Sequence, residues 1–141
     1  MSFFNKAQIS LEFYIALSAV LLLFLFSLIF AMQLRKNEEE RQIATASHML
    51  AQQVANSVDL MQRNLCYEGN CTISLLLPKR IRGVSFPKEV EYNITFHSNW
   101  VVVTPAGYPS ASVASAVPFE GLKVSLEEKP EGKFLRVEGA G

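Results

Sequence analysis

Glycine and proline are absent from the first 68 residues, and all seven glycines and six prolines fall between Gly69 and Gly141. These residues punctuate helices and mark turns. The partition therefore predicts one long helix over residues 8–68 and a turn-rich β region over residues 69–141. From Gln8 to Leu65 such a helix is roughly 85 Å long at about 1.5 Å per residue, longer than a small globular domain can bury.

Its first half is more constrained still. Phe13 to Met32 is an unbroken run of apolar or small residues without a charge. A bilayer-spanning helix needs about 20 such residues, so residues 13–32 read as a transmembrane segment. Glu12 stands at the head of the run, where an uncompensated charge is costly and calls for a partner. An acidic side chain there is also favoured by the positive end of the helix dipole. The head, Met1 to Ala7, is short and carries one lysine, Lys6. A secretory leader ends in a small-residue site after its apolar run. Here Gln33-Leu34-Arg35-Lys36-Asn37 follows instead, so any processing is expected to remove the basic head, residues 1–7, and leave the apolar helix on the chain.

Gln8-Ile9-Ser10-Leu11-Glu12-Phe13 resembles the Q-x-S-x-E-F motif of archaeal class III signal peptides, which head type IV pilin-like proteins. With the apolar segment behind it, the resemblance covers residues 8–32. It implies that a membrane prepilin peptidase reads Lys6, Ala7, Gln8, Ile9, Ser10 and Glu12 and cuts between Ala7 and Gln8. Glu12 then meets the new amine of Gln8, in the same chain or a neighbouring one, during assembly. The partners implied are the peptidase, copies of this chain or related pilins, an assembly ATPase and a membrane platform protein. The bacterial pilin pattern fits less well, because Gln8 follows the cut in place of phenylalanine and there is no C-terminal disulfide loop.

Beyond the apolar run, Arg35-Lys36-Asn37-Glu38-Glu39-Glu40-Arg41 reads as a solvated stretch. Its i,i+4 pairs, Arg35–Glu39 and Lys36–Glu40, have the weaker orientation and contribute about 0.3 kcal/mol each. Ile43, Leu50, Val54, Val58, Met61 and Leu65 then recur at helical spacing, an apolar stripe that needs a cover. The β region supplies it. Gly69 is the expected helix cap. Thr72–Leu77 reads as a strand. Val90, Tyr92, Ile94 and Phe96 alternate with Glu89, Glu91, Asn93 and Thr95. His97-Ser98-Asn99 turns the chain, and Trp100–Thr104 returns. Leu122, Val124 and Leu126 alternate with Lys123, Ser125 and Glu127, then Lys129-Pro130-Glu131-Gly132 turns into a strand over Phe134–Glu138. The fold class is α+β. The helix, transmembrane in its first half, packs by its second half on a small antiparallel β-sheet in meander order, as in pilins. A core this small needs the helix for stability.

Pro105–Pro118, rich in Ala and Ser, reads as a loop whose sizeable side chains are Tyr108 and Val113. It is either a plain connection or an exposed contact loop. Cys66 and Cys71 flank the expected helix end, and a disulfide between them adds about 2 kcal/mol in the chain-entropy model. Free thiols or a metal site are the alternatives. Structural zinc takes four ligands, and His48 and His97 form no paired motif, so no metal is expected. Asn70-Cys71-Thr72 and Asn93-Ile94-Thr95 are glycosylation sequons, and the alternation places Asn93 on an outward face.

Lys6 and the terminal amine favour a cytoplasmic N-terminus, whereas Arg35, Lys36 and Arg41 favour the reverse. The cysteine pair, the sequons and the resemblance place the β region outside, and that topology is adopted. The formal net charge is zero. There is no basic patch with interleaved aromatics, no Gly-rich phosphate loop, and no Ser-His-Asp or Cys-His set beside a motif. The chain therefore reads as a non-enzyme that takes no cofactor and binds no nucleic acid. Its expected role is that of a structural subunit of a cell-surface adhesion filament. A membrane-anchored monomeric surface-binding protein is the alternative.

Overall fold

Helix α1 runs Ser2–Asn64 in the computed structural model, which describes residues 2–64, 72–84, 88–116, 118–119 and 121–139. The helix starts upstream of Gln8, because nothing in Ser2-Phe3-Phe4-Asn5-Lys6-Ala7 breaks it. The expected Gly69 cap lies outside the described residues. The chain divides into two compact units, Met1–Glu38 and Glu39–Gly141.

The first unit is helix alone. Every side chain described in it, from Ser10 to Glu38, is exposed, including Leu23 at 70% and Phe24 at 62%. Ser18 Oγ donates to the carbonyl of Ile15 at 2.8 Å. This polar group inside the apolar run is thereby satisfied within the helix, as a lipid environment requires. Among the described residues, α1 is the one helix long and apolar enough to cross a membrane by length and composition.

The second unit opens with the rest of α1. Ile43, Leu50, Val54, Val58 and Met61 are all buried, as their spacing predicts; Leu65 lies outside the described residues. Ala51, Ala55 and Ser47 join the same face. Ser47 Oγ donates to Ile43 O at 2.8 Å, so its buried hydroxyl is not stranded.

Among the described residues eight strands follow: β1 (Thr72–Leu77), β2 (Ile81–Arg82), β3 (Glu89–Val90), β4 (Tyr92–His97), β5 (Trp100–Pro105), β6 (Ala111–Ala114), β7 (Leu122–Lys129) and β8 (Gly132–Gly139). They make three antiparallel sheets, ordered β1-β8-β7, β2-β3 and β4-β5-β6, where the sequence predicts a single sheet in meander order. Two causes account for the difference. The alternating run 89–97 breaks at Glu91, so Val90 pairs with Ile81 while Tyr92 pairs with Pro105. The first strand also closes on the last, from Thr72↔Glu138 to Leu77↔Lys133. Both predicted hairpins are present. Ser98, in the turn between His97 and Trp100, takes φ 46, the left-handed region that primed hairpin turns use. Lys129 pairs with Gly132 across Pro130-Glu131. Gly132 is needed for a close approach: a Cβ there would stand 2.6 Å from Leu77 O.

Part of the predicted 105–118 loop is strand. Ala111–Ala114 pairs with β5, Val101 facing Val113, because β5 offers a free edge and a buried neighbour. Tyr108 and Val113 pack against the core as half-buried side chains. That core combines the α1 stripe with Leu77, Ile81, Val90, Val101, Leu135 and Val137.

Candidate functional site

The predicted processing motif lies on the N-terminal part of α1. The backbone of Lys6, Ala7, Gln8 and Ile9 is helical, and their side chains lie outside the described residues. Ser10, Leu11, Glu12 and Phe13 are exposed. Positions 8 and 12 are one helical turn apart and share a face. After the motif the apolar surface continues without interruption to Met32, itself 74% exposed. A span of this character gains little from burial against another helix while it sits in lipid, and much more once lipid is gone.

In the second unit, polar ties hold the β region to α1 and the sheets to one another. Near the start of the unit, Tyr108 Oη donates to Glu39 Oε1. Lys88 Nζ lies 3.3 Å from the same carboxylate and 3.4 Å from Tyr108 Oη. The bond to Glu39, aided by burial, holds the Tyr108 phenol above its usual range. Tyr108 and Glu39 together raise the Lys88 ammonium. Farther along α1, the Asp59 carboxylate accepts the Ser115 hydroxyl and the backbone N–H of Ala116 at 3.0 Å, pinning the chain just after β6 to the helix.

The third tie joins sheets. Lys133, 7% exposed, donates from Nζ to Tyr92 O at 2.6 Å. It faces Glu128 at 3.2 Å and stands 4.6 Å from the Tyr92 ring centroid. Tyr92 Oη in turn donates to Pro78 O. Burial first, then the negative charge of Glu128, pushes the Tyr92 phenol up to about 12. One lysine thus links β8, β7 and β4, and through Tyr92 reaches the end of β1.

These ties are hydrogen-bonded pairs and triads whose chemistry is to fix geometry. Among the described residues, no group of three or more His, Cys, Asp and Glu side chains converges as metal ligands do. His48 is exposed on α1 and His97 is exposed at the end of β4. Asn93 is exposed on the outward face of β4, and its Oδ1 accepts the N–H of Ile94 at 2.9 Å. Cys66, Asn70 and Cys71 lie outside the described residues, so the disulfide and the second sequon fall there. Sequence reasoning singled out Tyr108 by size alone. It missed Glu39, Asp59, Lys88 and Lys133, whose partners are distant in the chain and leave no local pattern.

Compared with protein-family models, with curated proteins and with solved structures, the chain matches none.

Proposed function

We propose that this chain is a type IV pilin-like structural subunit. It is made as a precursor, cut between Ala7 and Gln8 by a prepilin peptidase, and assembled through α1 into a cell-surface adhesion filament. The observation that carries the reading is the run Gln8-Ile9-Ser10-Leu11-Glu12-Phe13 at the head of a charge-free helical span, on a helix whose other end is built into an α+β unit. A plain tether needs the span but not the motif.

In this reading the precursor waits in the membrane with its N-terminus cytoplasmic and residues 39–141 outside. Assembly moves the span from lipid to the company of other spans, with Glu12 paired to the amine of Gln8. Burial of the exposed apolar surface contributes about 25 cal/mol per Å² against water but almost nothing against acyl chains. Extraction therefore needs an external motor, an ATPase acting through a membrane platform protein. The chain has no catalytic duty in this scheme and works with copies of itself or related pilins.

The test is the mass of the N-terminal peptide of protein taken from cells that hold the matching peptidase. Mass is preferable to chemical sequencing because an N-terminal glutamine can cyclise and block the latter. A chain beginning at Gln8 supports the filament reading. A chain still beginning at Met1 leaves a membrane-anchored surface protein and removes the role given to Glu12.

A further inference from the structure

The two three-stranded sheets turn different outward faces to solvent. On β1-β8-β7 the outward positions include Lys123, Glu127, Arg136 and Glu138, with Arg136 and Glu138 paired at 3.0 Å. Exposed Leu76 and half-buried Phe134 stand in the same rows, with Lys129 over the Phe134 ring, so this face mixes charged and apolar side chains. On β4-β5-β6 the register places Asn93, Thr95 and His97 directly beside Thr104, Val102 and Trp100. Ser112 and Ala114 extend the Val102 and Trp100 rows. Among the described residues of these three strands, no outward position is Asp, Glu, Lys or Arg; charge begins at the edge of the face with Glu91, just before β4, which Arg80 pairs at 3.2 Å. All these positions are exposed except half-buried Val102, and Trp100 is 45% exposed. The opposite side of the same sheet, with Tyr92, Ile94, Val101 and Val103, is sealed in the core.

We propose that the outward face of β4-β5-β6 is a binding platform for a neutral glycan, with the Trp100 indole as its stacking surface. The polar groups of Asn93, Thr95, Thr104, Ser112 and His97 each offer both donor and acceptor character. Sugar hydroxyls have the same dual character, so each contact can be made in either direction. The charge argument points the same way. Charge is confined to the edge, where Glu91 is paired with Arg80, and the centre around Thr95, Val102 and Trp100 carries none, which suits an uncharged ligand. Trp100 supplies a flat, rigid apolar surface with one polar edge, matching the C–H face of a pyranose ring. A protein partner fits less well. The centre of a protein interface is dominated by aromatic, Met and Arg side chains and is poor in Ser, whereas here one aromatic stands among small hydroxyls. The inference does not depend on filament assembly; it requires only that the second unit face the cell exterior.

Trp100 is the only tryptophan of the chain, so its fluorescence reports directly on the face. The experiment uses the full chain from a host that attaches no sugar, in a zwitterionic detergent without a sugar headgroup. It is titrated with mannan, dextran, laminarin and galactomannan, with alginate as the anionic control. Affinity electrophoresis in gels cast with each polysaccharide provides the second readout. The expected result is a saturable change in Trp100 emission and retardation by at least one neutral polymer but not by alginate. Trp100→Ala should weaken retardation by about tenfold or more, the loss of a good aromatic contact. Ser125→Ala on the other sheet should leave it unchanged. A circular dichroism melt confirms that each variant is folded. Several results overturn the proposal: no retardation by any of the four neutral polymers, or undiminished binding by a folded Trp100→Ala chain. An emission change that tracks dimerisation in sedimentation assigns the face to a second copy. If a sugar attached at Asn93 moves Trp100 emission while free polymers do not bind, the face belongs to the chain's own glycan.

Discussion

Replacing Lys133 by methionine keeps an unbranched stem in the core and removes the ammonium. The charge-assisted bond to Tyr92 O, 2.6 Å long, is the largest loss, at about 1.5–3 kcal/mol. The cation over the Tyr92 ring adds about 1 kcal/mol. Glu128, whose side chain is 69% exposed, adds less than about 1 kcal/mol. Against these stands the desolvation of a nearly buried ammonium, several kcal/mol on the order of the losses themselves, which methionine relieves. If that were the whole comparison, the variant would be close to neutral. It is not, because the Tyr92 carbonyl remains and has lost its donor, and a buried unpaired acceptor costs about 1–3 kcal/mol. The expected net loss is about 2 kcal/mol. In a unit of 103 residues (Glu39–Gly141, 141 − 39 + 1), this lowers the melting temperature by about 10 °C. Trp100 fluorescence in micelles gives the assay, since it follows the second unit and is blind to the span. Glu128→Gln should cost under about 1 kcal/mol. A Lys133→Met melting temperature equal to or above that of the parent would refute the reasoning, showing that the ammonium is a burden and not a tie.

Other perturbations probe the remaining ties and the proposed assembly. Gly132→Ala drives a methyl group to 2.6 Å from Leu77 O; backbone must shift, and a loss of about 1–3 kcal/mol is expected in urea unfolding, with an unchanged midpoint speaking against the close approach. Asp59→Ala removes the acceptor of Ser115 and Ala116 and should cost about 2 kcal/mol by the same measurement, whereas Ser115→Ala should cost less. The Tyr92 phenol titrates near 10 when unfolded and is pushed up to about 12 when folded. Its contribution to stability is therefore fully present below pH 10 and is lost between pH 10 and 12. Tyr92→Phe should show a shallower fall in melting temperature across that window, and an identical slope would contradict the assignment. Glu12→Gln should leave cleavage at Ala7–Gln8 intact by peptide mass but reduce filament yield in sheared preparations; normal filaments would end the amine-pairing idea.

Periodicity and punctuation carried much of the fold. The α1 stripe, strand β1 and the two hairpins around Ser98-Asn99 and Pro130-Glu131 are local patterns, and each sits where spacing and turn residues place it. Strand β6 was illegible because Ala111-Ser112-Val113-Ala114 has no convincing alternation of its own; it is strand because β5 lends it an edge. The closure of β1 on β8 was illegible for a different reason: strand pairing between distant segments is chosen by the assembled core, not by either segment. The ties show the same limit. Glu39 and Tyr108 are 69 residues apart, Asp59 and Ser115 are 56, and Lys133 and Tyr92 are 41. The proposed processing motif is the converse case. Its six residues are plain in the sequence, while their helical backbone has no geometry that marks a cleavage site.

The two halves of α1 answer to different surroundings, and this makes the functional reading separable from the stability of the fold. Among the described residues no sheet has more than three strands, and small sheets need a packed face for independent stability. The stripe from Ile43 to Met61 provides a common floor within the second unit. The ties through Asp59 and Glu39 hold the β region to that floor, and Lys133 joins β8 to β4. None of these residues lies in the span, and no residue of the span belongs to this core. Changes at Glu12 or in residues 13–32 should therefore alter processing or assembly while the Trp100-reported melt stays fixed. Changes at Asp59, Gly132 or Lys133 should move the melt while the N-terminal peptide keeps its mass. A variant that loses filaments with both readouts intact then isolates the contacts between subunits from the making and folding of each one.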